Sequence, residues 1–250
     1  MRSALVVTGS ALMAMTVTAG AAEIRVASIG ATRHAAEAIA GDFGKQSGHR
    51  VNFTFENPAV LAQRLAKGET WDAVILAAPA MDNLEKAGGL RAGSRVKLAR
   101  VGIGVVVKDG AAMPDISTVE GFKKAMLAAR AVAHGDPALP NQSGAFAAEA
   151  LKRAGIYEEM KSKTRVAGLD AAADLLKKGE IDFGFVNVSE VRPGLALVGP
   201  LPGPLQSYTN YDAAVMTAGA GNEAAAAFVK FLASAGKTWQ AAKLEPATNP

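Results

Sequence analysis

The sequence contains no cysteine, which excludes disulfide scaffolds, thiol nucleophiles, zinc fingers and thiolate-held iron–sulfur clusters together. Aromatic residues make up only 6% of the chain, too few for a base-stacking nucleic-acid surface. Net charge is +4, and Lys and Arg stand singly or in pairs. No phosphate-gripping run exists, and no nucleic-acid partner is expected. The three histidines, His34, His49 and His134, are far apart and lack the i, i+4 spacing of a helical metal site, so no metal is expected. Nor does a low-complexity linker interrupt the 250 residues. What remains is a chain 50% hydrophobic and 20% charged, a composition that buries a core and opposes disorder.

Residues 1–22 hold one charge, Arg2, then an apolar stretch, then the small residues Thr18-Ala19-Gly20-Ala21-Ala22. These are the parts of a secretory signal peptide, with cleavage after Ala21 or Ala22. The apolar stretch is short for a membrane span, and no cysteine follows it for lipid attachment. The expectation is an exported, periplasmic protein with no membrane span after cleavage.

Beyond that segment, strand and helix signals alternate. Residues 24–29 read as a buried strand, and 32–45 as a helix whose apolar stripe is Ala35, Ile39 and Phe43. After a strand over 51–55, Asn57-Pro58 opens a helix, with Asn as cap and Pro in the first turn, ended by Gly68. A strand over 72–77 and a helix over 79–87 complete a first set. A second set places strands at 101–107, 131–133, 181–186 and 211–217. Its helices are 117–129, opened by a Ser117–Glu120 capping box, then 143–154, 170–178 capped by Asp170, and 223–234. Alternating elements with continuously apolar strands imply an α/β fold of two lobes, each a mostly parallel sheet flanked by helices. The first lobe takes residues 23–100 and 217–250, and the second 101–216, with the return crossing within 209–218.

Catalytic signatures nearly match and fail. Ala235-Gly236-Lys237-Thr238 resembles the end of a phosphate loop, but Phe231 stands where its first glycine belongs and a helix precedes it. Gly102-Ile103-Gly104 lacks a third glycine and lies within a strand. Two Ser-x-x-Lys matches, at Ser94 and Ser234, have no companion motif, and Gly-x-Ser-x-Gly is absent. No cofactor is expected.

Parallel α/β lobes bind ligands where strand ends meet helix starts, because unpaired N–H groups and the helix dipole favour an anion. Four such junctions stand out: Ser28-Ile29-Gly30-Ala31-Thr32, Glu56-Asn57-Pro58-Ala59, Pro140-Asn141-Gln142-Ser143-Gly144 and Val186-Asn187-Val188-Ser189. Arg33 and His34 place cations on a first helical turn, where the dipole opposes them unless an anion is near. Tyr208 and Tyr211 flank the return crossing.

The order of motifs is recognisable. The stretches 58–68, 72–78 and 178–186, with the Tyr211 strand, resemble the periplasmic molybdate-binding proteins of ABC transporters over nearly the whole chain beyond residue 22. The resemblance implies a two-lobed type II periplasmic-binding-protein fold, a small anionic ligand, a permease partner and a monomer. In that family, serines after the first strand and before the second helix hold the oxyanion. Here Ala31 and Pro58 stand there, although the pocket tyrosine is matched by Tyr211. The stretches 100–105 and 197–206 look like a divergent branch that also resembles periplasmic aconitate isomerase. Two readings follow. One is a binding protein for a small carboxylate anion, held by Gly30, Ala31, Thr32, Arg33, Asn57, Ser143, Gly144, Asn187 and Tyr211. The other is a cofactor-independent isomerase with His34, Tyr208, Tyr211 or Glu190 as acid or base.

Overall fold

The computed structural model describes residues 20–139 and 143–247; most of the expected signal peptide lies outside them. The chain begins with β1 (Glu23–Ile29), α1 (Arg33–Ser47), β2 (Arg50–Glu56), α2 (Pro58–Ala66), β3 (Ala73–Ala77) and α3 (Ala78–Lys86). It continues through β4 (Val96–Lys108), α4 (Val119–Ala128), β5 (Val132–His134), α5 (Ser143–Arg153), α6 (Tyr157–Lys161), β6 (Thr164–Val166) and α7 (Leu169–Lys178). Then come β7 (Phe183–Asn187), β8 (Leu195–Pro200), β9 (Tyr208–Val215), α8 (Glu223–Ser234), α9 (Gly236–Ala241) and β10 (Glu245–Pro246).

The strands run in the order β2-β1-β3-β9-β4-β7-β5-β6, with β8 and β10 also paired to β4. β4 belongs to both lobes. Through Gly102 it pairs with β9, and from Ile103 onward with β7. Gln206 clamps this crossing: its Oε1 accepts from the Ile103 N–H at 2.8 Å and its Nε2 donates to the Ile103 carbonyl at 2.9 Å. Gly102 is needed there, because a Cβ would lie 3.0 Å from the Gln206 carboxamide.

Each lobe has its own core. α1 buries Ala35, Ala36, Ile39 and Phe43 on one stripe, and α8 buries Ala225, Phe228, Val229 and Leu232 on another. Phe43 and Phe228 meet at 5.2 Å between ring centroids. Beneath them Trp239 is fully buried, its indole N–H donating to the Leu232 carbonyl at 2.9 Å. In the second lobe Phe122, Met126, Leu151 and Met160 close over β4 and β7. Apolar stripes at helical spacing explain why these segments fold as helices and which face turns inward.

Two cap expectations change, whereas the sheets follow the expectation. Each lobe is mostly parallel, as expected: β1, β2 and β3 are parallel, as are β5, β6 and β7, while β9 opposes β3 and β4 opposes β7 and β9. The outgoing and returning strands run in opposite directions, so the ladders beside the crossing are antiparallel. β9 starts at Tyr208 and pairs with β3 from Tyr211 to Val215, so the chain rejoins the first sheet within those residues. Thr118, not Ser117, caps α4, accepting from the Gly121 N–H at 3.0 Å. Gly168 stands at the cap of α7, while Asp170 turns to Arg192 at 2.8 Å. The phosphate-loop look-alike spans the junction of α8 and α9, with no strand before it.

Candidate functional site

A cleft of about 600 Å³ lies between the lobes, lined from both sides. The first lobe contributes the turn after β1 (Gly30, Ala31, Arg33), the end of β2 with the start of α2 (Phe55, Glu56, Asn57, Pro58), and Ala77 after β3. The second contributes Gly135 and Asp136 after β5, Ser143 at the start of α5, residues 166–169 before α7, Asn187 at the end of β7, and Glu190. Thr209 and Tyr211 of β9 form the back wall. Parallel strands deliver all but the last pair at their C-terminal ends, which is why one ring of junctions faces one space.

Arg33 opens α1, whose first turn holds no acidic residue and whose cap, Thr32, makes no side-chain bond to it. Its guanidinium lies over the Phe55 ring at 4.1 Å and reaches Glu37 at 3.5 Å. The stack fixes the fork's plane while leaving its edge open. Among the described residues lining the cleft, Arg33 is the only cation. Leu139 and Val166 add exposed apolar surface at the second lobe's lip.

The acidic groups of the cleft are individually occupied. Glu56 binds Arg64 at 2.9 Å, and Arg64 also binds Glu69. Asp136 accepts from the Ala138 N–H at 2.8 Å. No cation among the described residues pairs with Glu190, although the charge of Arg192 acts on it to lower its value. Its Oε2 accepts from Asn187 Nδ2 at 2.6 Å, and Asn187 Oδ1 is buried without a partner. Burial pushes the Glu190 carboxyl above its ordinary value, against the opposing bond from Asn187. Burial, and then the charge of Glu190, pushes the Tyr211 phenol up; a hydrogen bond from Thr209 works the other way.

Most residues read from the sequence meet here, and four take different places. Thr32 turns inward: its hydroxyl shares a 2.7 Å bond with Ser28 and donates to the Ile29 carbonyl at 3.0 Å, so it belongs to the core. Gly144 packs under Gly135, where a methyl would overlap the Gly135 carbonyl. Asn57 lines the cleft, yet its Oδ1 is spent on the amides of Ala59 and Val60 at 2.8 and 3.3 Å. His34 is exposed and outside the cleft lining. Tyr208 lies under Arg100, 4.0 Å from the guanidinium to the ring centre, also outside the lining. Residues 140–142 lie outside the described residues. Both Ala31 and Pro58 do line the cleft, so no side-chain hydroxyl is offered at either place.

Sequence reasoning missed Phe55, Asp136 and Thr209, and placed Glu56 and Ser189 only within the strand-end junctions; the Ser189 hydroxyl donates to the Ala31 carbonyl at 3.1 Å. Only the Asn187–Glu190 spacing offered a local signal, three residues apart on one turn.

The chain matches the family of bacterial extracellular solute-binding proteins over residues 24–241. It is 32% identical over 182 residues to an aconitate isomerase from a Pseudomonas species, covering 72% of this chain and 68% of that one. It is also 32% identical over 237 residues to the molybdate-binding protein ModA of Azotobacter vinelandii, covering 91% and 90%. Its fold matches a solved periplasmic molybdate-binding protein from Azotobacter vinelandii with a TM-score of 0.71 at 20% identity, across 91% of this chain and 99% of that one. No helix among the described residues is long and apolar enough to cross a membrane. With a family match from the first strand to the last helix, and a two-lobed fold to go with it, the chain belongs to the bacterial extracellular solute-binding proteins.

Proposed function

We propose that this protein captures a small organic anion bearing carboxylate groups in the interlobe cleft and passes it to an ABC transporter permease in the bacterial periplasm. One observation carries the reading: Arg33 is the cation of the cleft, stacked on Phe55, while Ala31 and Pro58 offer no hydroxyls. A guanidinium fork matches a planar carboxylate through two parallel bonds. A bare tetrahedral oxyanion needs many short donors around it, and here Pro58 lacks even its N–H. The apolar lip of Leu139 and Val166 suits the carbon skeleton of such a ligand. A melting screen tests this. At a hundred times its dissociation constant a ligand stabilises by about 2.7 kcal/mol, a rise of roughly 5–10 °C for a chain this long. Di- or tricarboxylates should produce it and tungstate should not; the reverse pattern refutes the reading.

A second reading has one observation in its favour. Glu190, raised by burial, lines the same cleft as the Tyr211 phenol, and groups held away from their ordinary values suit proton transfer. With an aconitate isomerase among the relatives, an isomerase of an unsaturated polycarboxylate is the alternative. Ultraviolet absorbance on trans-aconitate decides: steady change, abolished by Glu190→Gln or Tyr211→Phe, establishes catalysis, and a flat trace leaves binding alone.

A further inference from the structure

The cleft proposed to take an anion contains a carboxyl group that pairs with no cation among the described residues. Glu190 follows β7 and leans towards the turn after β1, so closely that a Cβ on Gly30 would lie 3.1 Å from its Oε1. Its other oxygen is taken up by Asn187 at 2.6 Å. The charged and titratable neighbours are few. Arg192, the nearest cation in sequence, is engaged by Asp170 of α7 at 2.8 Å. Tyr211 of β9 is a buried neutral phenol. On the first-lobe wall stand Arg33, stacked on Phe55, and Glu56, held by Arg64. Asp136 faces from the second lobe. An ionised Glu190 would repel an incoming anion at short range, in a space where water screens poorly.

We propose that Glu190 takes up one proton from solvent when an anion enters the cleft and holds that anion by donating its carboxyl O–H, making it a specificity-determining residue. This extends the reading above by adding the group that meets the anion opposite Arg33. The Asn187–Glu190 pair accommodates both states. An ionised Glu190 accepts from the amide N–H₂, as observed. A neutral one can keep that bond on Oε2 as its carbonyl oxygen and carry its single proton on Oε1, the oxygen that donates to the anion. Gly30, having no side chain, leaves Oε1 open to the ligand. Burial already favours the neutral form, and a second negative charge nearby favours it further.

Calorimetric titration of the purified chain with trans-aconitate, citrate and molybdate tests this between about pH 6.5 and 8.5, where free carboxylic acids are ionised. Running each titration in two buffers of different ionisation enthalpy counts the protons exchanged without any variant. The expected result is uptake approaching one proton per anion bound. The dissociation constant should rise towards tenfold per pH unit once the unliganded carboxyl is ionised. Glu190→Gln should flatten the pH dependence to that of the remaining groups, histidines included, and abolish the uptake. No proton exchange, or the same exchange in Glu190→Gln, overturns the proposal. A carboxylate bound without proton uptake refutes this inference alone, and molybdate bound with it refutes the carboxylate reading alone. Failure of all three anions to bind refutes both.

Discussion

Replacing Arg33 by alanine separates a binding role from a structural one, because the structure gives this side chain little to do in the unliganded protein. Its ion pair with Glu37 is long, 3.5 Å, and both side chains are about half exposed, 46% and 49%. Exposed i, i+4 pairs contribute about 0.3–0.5 kcal/mol. The stack on Phe55 adds about 0.5–1 kcal/mol at such a site. Against these, a cation on the first turn of α1 costs about 0.3–1 kcal/mol. The sum is small, about 0.5 kcal/mol and no more than about 1.2, so Arg33→Ala should melt within about 5 °C of the parent. Ligand affinity should respond very differently. Hydrogen bonds to a charged group contribute about 1.5–3 kcal/mol, so the dissociation constant should rise roughly 10- to 150-fold. Arg33→Lys should recover part of this, since a point charge cannot reproduce the fork. Titration calorimetry with a carboxylate that raises the melting temperature is the assay. Affinity within twofold of the parent in both variants would remove Arg33 from the site.

Three further outcomes follow from the structure. Arg95 joins Asp82, Glu85 and the buried Asp212 at 2.7, 2.9 and 2.6 Å; Arg95→Met strands Asp212 and should cost about 3 kcal/mol, read as a melting temperature lower by roughly 6–12 °C. Gly144→Ala drives a methyl into the Gly135 carbonyl; it should destabilise by about 2 kcal/mol and also weaken ligand binding by displacing Ser143, whereas an unchanged melting curve would contradict the close approach. Because the Glu190 carboxyl is raised, the folded chain binds its proton more tightly than the unfolded chain does, and ionising it costs folding energy. Glu190→Gln should therefore match the parent in stability in acid and surpass it as pH rises through the parent's folded-state value; a variant less stable at neutral pH than in acid, relative to the parent, would contradict this.

Local signals in the sequence carried far. Asn57-Pro58 marks the start of α2 because a cap and a first-turn proline act within four residues, and the α8 stripe at 223–234 shows its own periodicity. What stayed hidden depends on distant partners. β4 runs through both lobes, and nothing within residues 96–108 says that pairing changes hands at Gly102; Gln206, more than a hundred residues on, decides it. β8 and β10 are short strands whose ladders exist only because β4 offers an edge. The same holds for the site. Thr32 has the residue type of a cap, but Ser28 draws its hydroxyl into the core. Glu56 and Asp136 are unremarkable as sequence, and reach the cleft because two separate strands end beside it. His34 and Tyr208 have suitable chemistry on the wrong face.

The cleft is proposed to suit a carboxylate-bearing anion rather than a bare oxyanion. Competitive titration of one protein sample with a tricarboxylate and with molybdate tests it most directly. The dissociation constant for the carboxylate should lie at least about tenfold below that for molybdate, with Arg33→Ala narrowing the gap. Tight molybdate binding, with no heat from any carboxylate, would contradict it.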